Sequence, residues 1–144
     1  MTIDEVQEEI IKKFSALEGF QEMTLLYLIE LGQKLPELKS SERIDSNLIK
    51  GCQSKVWLVA QCKNEKIYFN ADSNTDITKG LVSLLISIYN GRCPDDIISN
   101  NLFFMEKIGM SRFIGTQRTN GFSAMINQMK SYAFGFKNKF EIRT

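Results

Sequence analysis

The chain has 144 residues, 43% hydrophobic and 24% charged, the balance of an ordinary globular protein with length for one core. Its formal net charge is only +1, with Lys and Arg interspersed among Asp and Glu, which excludes a nucleic-acid binder held by a clustered basic face. It contains no histidine, so Ser-His and Cys-His nucleophilic catalysis in their usual form and every His-containing zinc site are excluded as well.

The first residues, Met1-Thr2-Ile3-Asp4-Glu5, are acidic and read as neither a secretory signal nor a transit peptide. The most apolar stretch, Leu81 to Tyr89, is far shorter than the roughly 20 residues of a membrane span. No membrane partner and a cytoplasmic location are therefore expected, where thiols stay reduced.

Ile3, Val6, Ile10, Phe14 and Leu17 recur at helical spacing and predict a first amphipathic helix. A second helix is expected from about Phe20 to Gln33, burying Met23, Leu26, Tyr27 and Leu31, and stopped by Pro36. A polar, turn-rich segment follows, with a short strand expected at Asn47 to Lys50. Lys55 to Cys62 reads as a strand, Asn64-Glu65 as a turn, and Lys66 to Ala71 as the antiparallel partner, with Ile67, Phe69 and Ala71 on one side. The oxygens of Asp72, Ser73, Asn74, Thr75 and Asp76 are expected to cap the helix from about Ile77 to Asn90, which Gly91 ends. Pro94-Asp95-Asp96 opens a short helix. Another short helix is expected over Leu102 to Ile108, and a long one from about Asn120 into the 130s. This order predicts an α+β fold, a small antiparallel three-stranded meander packed against helices, in a single domain over 1–144. No repeat, low-complexity tract or linker divides it.

Chemistry without histidine falls to carboxylates, lysines or the three cysteines. Their spacing lacks any C-x-x-C pair, so no metal site is expected. Cys62 at a strand end and Cys93 beside a helix start read as thiols without function. Cys52 lies in a polar loop after Gly51, between Lys50 and Lys55, which would favour its thiolate. On these residues alone it is either a reactive thiol or an unremarkable loop cysteine. Asp72 and Asp76 read as caps rather than an acid/base pair. Trp57, Phe69, Phe103 and Phe104 read as packing rather than a stacking platform, because no basic stripe accompanies them.

The block Asn47-Leu48-Ile49-Lys50-Gly51-Cys52-Gln53-Ser54-Lys55-Val56-Trp57 closely resembles the SufE family of sulfur acceptors, which includes CsdE-type proteins. Tyr27 to Pro36, Ala71-Asp72-Ser73 with Ile77 to Leu81, and Arg118-Thr119-Asn120-Gly121 are similar to further family blocks, in the same order, from about Phe14 to Met129. The resemblance implies a SufE-like domain with the α+β fold shared with IscU-type scaffolds. It implies a protein that is not itself an enzyme and carries no cofactor. Cys52 would take persulfide sulfur from a cysteine desulfurase (SufS/CsdA-like), whose cofactor is pyridoxal phosphate. The chain would stimulate that desulfurase and deliver sulfur to an iron–sulfur scaffold complex (SufBCD-like). Gly51 and Gln53 carry over as the loop presenting the cysteine, and Arg118 as a partner-docking residue. Two alternatives stand beside this: an IscU-type cluster scaffold ligated by Cys52, Cys62 and Cys93, and a docking-only desulfurase activator. The chain departs from the pattern at Thr116, where many members have proline, at Asn74, and in the tail Phe134 to Thr144.

Overall fold

Thr2 starts the first helix by a reciprocal cap: the Glu5 N–H donates to Thr2 Oγ1 at 3.1 Å and the Thr2 N–H to Glu5 Oε1 at 2.9 Å. In the computed structural model, which describes residues 1–143 with side chains through Lys139, helix α1 then runs Ile3–Ser15 and buries Ile3, Gln7, Ile10 and Phe14. Helix α2 (Gln21–Gln33) follows, then two short 3-10 turns at Ser40–Glu42 and Asp45–Asn47. Strands β1 (Val56–Lys63) and β2 (Lys66–Ser73) form an antiparallel hairpin. Its Asn64-Glu65 turn has both residues at positive φ, the two-residue geometry that matches strand twist.

Helix α3 (Asp76–Tyr89) is buried along nearly its whole length, because it packs on β2, α1, α2 and α7 at once. Gly91, at φ +74°, turns the chain after it. Four helices complete the described residues: α4 (Pro94–Ser99), α5 (Phe104–Lys107), α6 (Met110–Ile114) and α7 (Thr116–Arg143). None among those residues is long and apolar enough to cross a membrane.

The mixed α+β class agrees with the sequence, and the expected third strand does not. Among the described residues the sheet has two strands. The Asn47–Lys50 segment contributes one isolated bridge, Leu48 opposite Trp57, with the Ile49 N–H donating to Val56 O at 2.8 Å. The reason is local. Asn47 still belongs to the preceding 3-10 turn, and Gly51 bends the backbone away, so only two residues are left to pair.

The face of α2 also differs from expectation. Met23 and Leu26 are more than half exposed, while Thr24, Leu28 and Gly32 are buried. Backbone contact with α3 decides this. A Cβ on Gly80 would collide with the Leu28 carbonyl, and one on Gly32 would lie 2.8 Å from the Gly80 nitrogen. The two helices therefore meet through glycine, at a distance that no periodic apolar stripe encodes.

The Asp72 group does not cap α3, whose N-cap Thr75 makes no side-chain capping bond to the helix. Asp72 instead joins three segments. Its carboxylate accepts the Ser73 N–H at 2.8 Å and pairs with Arg43 Nε at 2.8 Å and Lys79 Nζ at 3.4 Å. Partial burial pushes the Asp72 carboxyl up, but the Ser73 N–H, Lys79 and Arg43 outweigh it and hold it below the usual value. Its contribution to stability is thus present above the unfolded carboxyl's pKa and lost as pH falls through the lower, folded one.

Gly80→Ala is expected to cost about 1–3 kcal/mol, the range for overpacking that forces backbone apart. Gly135→Ala, on α7 with nothing within 4 Å of the added Cβ, should gain about 0.5–1 kcal/mol instead. Urea midpoints of the two variants and the parent measure both effects. Equal midpoints for Gly80→Ala and parent would contradict the close α2–α3 approach.

Candidate functional site

Residues Lys50 to Ser54 form a loop tied down at its ends and free between them. At the start, Ile49 is bonded to Val56. At the end, the Lys55 N–H donates to Asn74 Oδ1 at 2.9 Å, and the Asn74 N–H donates back to Lys55 O at 3.1 Å. The hydroxyls of Thr75 and Thr78 both donate to Ser54 Oγ, at 3.1 and 3.3 Å. No backbone N–H from Lys50 to Ser54 finds a protein partner among the described residues. Gly51, exposed at φ +92°, makes the reversal, a conformation that strains any residue with a Cβ.

That reversal turns Cys52 inward against the start of α7. Its Sγ–H donates to the Gly121 carbonyl at 3.4 Å. Gly121 is buried, and a Cβ built on it would already stand 3.5 Å from Cys52 Sγ. A methyl there would be in ordinary contact with the sulfur, whereas a larger side chain would compete for the space the sulfur fills. Beside this contact lies a cavity of about 450 Å³ lined by Cys52, Gln53, Ser54, Ile114, Arg118 and Met125, among others.

The four site residues read from the sequence come together here. Cys52 is half-buried at the cavity, Gln53 and Arg118 line its exposed mouth, and Gly51 shapes the loop. Arg118 Nη1 donates to Ile114 O at 3.3 Å, which holds the guanidinium on the rim. The departure at Thr116 also has a simple account. It is the first residue of α7, preceded by Gly115 whose carbonyl accepts from Thr119 N–H and Oγ1–H. The first helical position has no intrahelical N–H bond to lose, so proline and threonine serve equally there.

Other expectations fail or go unanswered. Helix α7 begins at Thr116 rather than Asn120, which puts Gly121 inside the helix. Lys50 and Lys55 are exposed and do not activate the thiol; burial pushes the Cys52 thiol above its ordinary value. Cys52 at rest is a neutral thiol. Its folded pKa being raised, the associated stability is present below the unfolded thiol's pKa and lost as pH rises through the folded one.

Cys62 sits near the far end of β1 from Cys52, where burial, Glu65 and Cys93 push its thiol up, and Cys93 is exposed. Among the described residues no group of three or more His, Cys, Asp or Glu is placed to hold a metal ion. Ser54, Thr75, Thr78, Ile114, Gly121 and Met125 complete the site, and reading the sequence does not single them out. Ser54, Thr78 and Gly121 carry a signal only as members of the family-like blocks around Cys52, Ile77 to Leu81 and Arg118 to Gly121.

Residues 8–133 match the family model SufE, described as the Fe-S metabolism associated domain. The match stops just before the tail that finds no place in the family pattern. A solution structure of a hypothetical protein from Thermus thermophilus is similar, with a TM-score of 0.73 and 17% identity over 90% of this chain and 94% of that one. At that identity the likeness concerns the fold.

Iodoacetamide labelling at about pH 8, near the unperturbed thiol pKa, should rank the cysteines by exposure. Cys93 is expected to react fastest and Cys52 about tenfold or more slower than in the urea-unfolded chain. Gly121→Leu, which fills the space under the sulfur, should bring Cys52 close to the unfolded rate. Fast labelling of Cys52 in the parent, read by peptide mass, would contradict the inward resting position.

Proposed function

Since the chain belongs to the SufE family, the Fe-S metabolism associated domain, we propose that it is a sulfur acceptor whose Cys52 takes persulfide sulfur from a cysteine desulfurase and passes it on for iron–sulfur cluster assembly. The observation that supports this best is the placement of Cys52, a lone thiol on a loop without backbone hydrogen bonds, opening on a cavity with an arginine at its rim.

The chemistry is thiol exchange. The Cys52 thiolate attacks the outer sulfur of the partner's persulfide. A Cys52 S–S bond forms, the partner's S–S bond breaks, and the partner sulfur leaves as a thiolate that takes up the proton Cys52 has lost. Each side ends with its atoms accounted for: one thiol and one persulfide before, one persulfide and one thiol after. No histidine and no resident cofactor enter; pyridoxal phosphate belongs to the partner, where it cleaves L-cysteine.

The resting geometry suits a carrier. Held neutral and half-buried, the thiol is a poor target for oxidation, which follows thiolate character and exposure. Its release costs little, because one S–H···O contact is broken and no backbone hydrogen bond of Lys50 to Ser54 is lost. Outside the cavity the burial that raises its pKa is gone, so the loop's outward swing and the thiol's activation are one event. Arg118, exposed on the rim, is the residue assigned to docking the partner. A docking-only activator differs from this carrier in one respect, the need for the sulfur itself. A cluster scaffold would require cysteines that converge, whereas Cys52 and Cys62 lie toward opposite ends of β1.

With a pyridoxal-phosphate cysteine desulfurase and L-cysteine, the wild type should raise the steady rate of alanine release, and Cys52→Ser should abolish that rise. Arg118→Ala should keep the maximal rise but need about tenfold more protein to reach half of it, the loss of one charge-assisted contact at an interface. Full stimulation by Cys52→Ser would replace sulfur acceptance with docking alone.

A further inference from the structure

Helix α6 separates two cavities. Its end, at Ile114 and Gly115, lines the Cys52 cavity. Its opposite side, at Arg112 and Phe113, lines a second cavity of about 260 Å³ between the α1–α2 junction and the α5–α6 segment. The sulfur-transfer reading makes no use of this second space.

Its walls have a definite chemistry. Phe14, buried in α1, stacks on Phe113 with ring centroids 6.0 Å apart and planes 12° off parallel. With Leu17 and Ile108 they make an apolar floor. Two cations, Lys107 and Arg112, stand at the mouth, and neither has an ion-pair or hydrogen-bond partner among the described residues. Arg112 reaches the mouth across Gly109. Its guanidinium lies over Gly109, so closely that a Cβ there would be 2.8 Å from Nε. Gly109 is at φ +64° and opens α6, so one glycine both turns the chain and leaves room for the arginine over it. The polar groups already committed do not compete: Thr24 Oγ1 donates to Phe20 O and Leu17 O. Glu18 is the one acid on the lining, set against two bases.

We infer that this cavity is a second ligand site, for a small carboxylate with an apolar or aromatic body, its ring on Phe14 and Phe113 and its carboxylate at Arg112 and Lys107. An aromatic body uses the floor, which two unpaired cations alone would not require. A planar guanidinium with no protein partner among the described residues suits a carboxylate, which it meets through two parallel hydrogen bonds. A large polyanion does not fit, because the cavity is smaller than the usual ligand pocket of about 300–1,000 Å³. The site stands apart from Cys52 and holds whether or not the sulfur-transfer reading does.

The test is an amide NMR titration of the full chain with 3-phenylpropionate. Saturable shifts are expected at Gly109, Arg112 and Phe113, with a Kd on the order of 1 mM for a ligand of that size. Arg112→Gln should weaken binding about tenfold, and so should Lys107→Gln. Both side chains are exposed, so unshifted amides elsewhere will report an intact fold. The neutral analogue 3-phenylpropanamide should bind at least about tenfold more weakly than the acid. The inference is overturned if no saturable shifts occur in this region, if the amide binds as tightly as the acid, or if Arg112→Gln leaves the affinity unchanged.

Discussion

The contact on which the site depends is between a sulfur and a bare helix backbone. Cys52 Sγ rests on the Gly121 backbone of α7, where a small residue leaves room for it, and Gly51 reverses the loop toward it. Two glycines, one leaving room and one giving direction, thus set where the thiol lies. Its protonation follows from the same fact, since a half-buried thiol without a nearby fixed positive charge keeps its proton. In the carrier proposed above, storage and reactivity would be separated by position alone. Inside, the group is neutral and shielded; in the proposed carrier it would return, once outside, to the ordinary behaviour of a thiol in water.

The rest of the fold supplies two firm edges for that loop. On one side the Ser54 hydroxyl and the Lys55 backbone are held by Asn74, Thr75 and Thr78, and on the other Ile49 is bonded to β1. Behind both stands α3, whose close approach to α2 through Gly32 and Gly80 fixes the centre of the core. Asp72, gripping Arg43 and Lys79, ties the end of β2 to the 3-10 turn and to α3 beneath the same loop anchor. Disturbance of the scaffold would therefore be felt at the hinge points of the loop before it reached the cysteine itself.

Much of this is legible in the residues, and the rest is hidden for identifiable reasons. Helix α1, the hairpin with Ile67, Phe69 and Ala71 inward, and the turn at Gly91 follow from local spacing and local backbone preference. Family resemblance points to Cys52 and Arg118, and they do share one cavity. The face of α2 is misjudged from periodicity because glycine contact with α3 selects what is buried, leaving Met23 and Leu26 outside. The third strand is overcounted because two residues of pairing look like four when the neighbouring 3-10 turn is unseen. Helix α6 escapes notice since it is five residues between two positive-φ glycines. The Cys52–Gly121 contact spans 69 positions, and no spacing rule reaches that far.

Whether Cys52 itself carries the sulfur is tested most directly by intact and peptide-mapped mass after the protein meets a persulfidated cysteine desulfurase. One added sulfur is expected on the peptide containing Cys52, removed by a thiol reductant and missing from Cys52→Ser. An adduct on Cys62 or Cys93 instead, or one that survives in Cys52→Ser, would contradict the assignment.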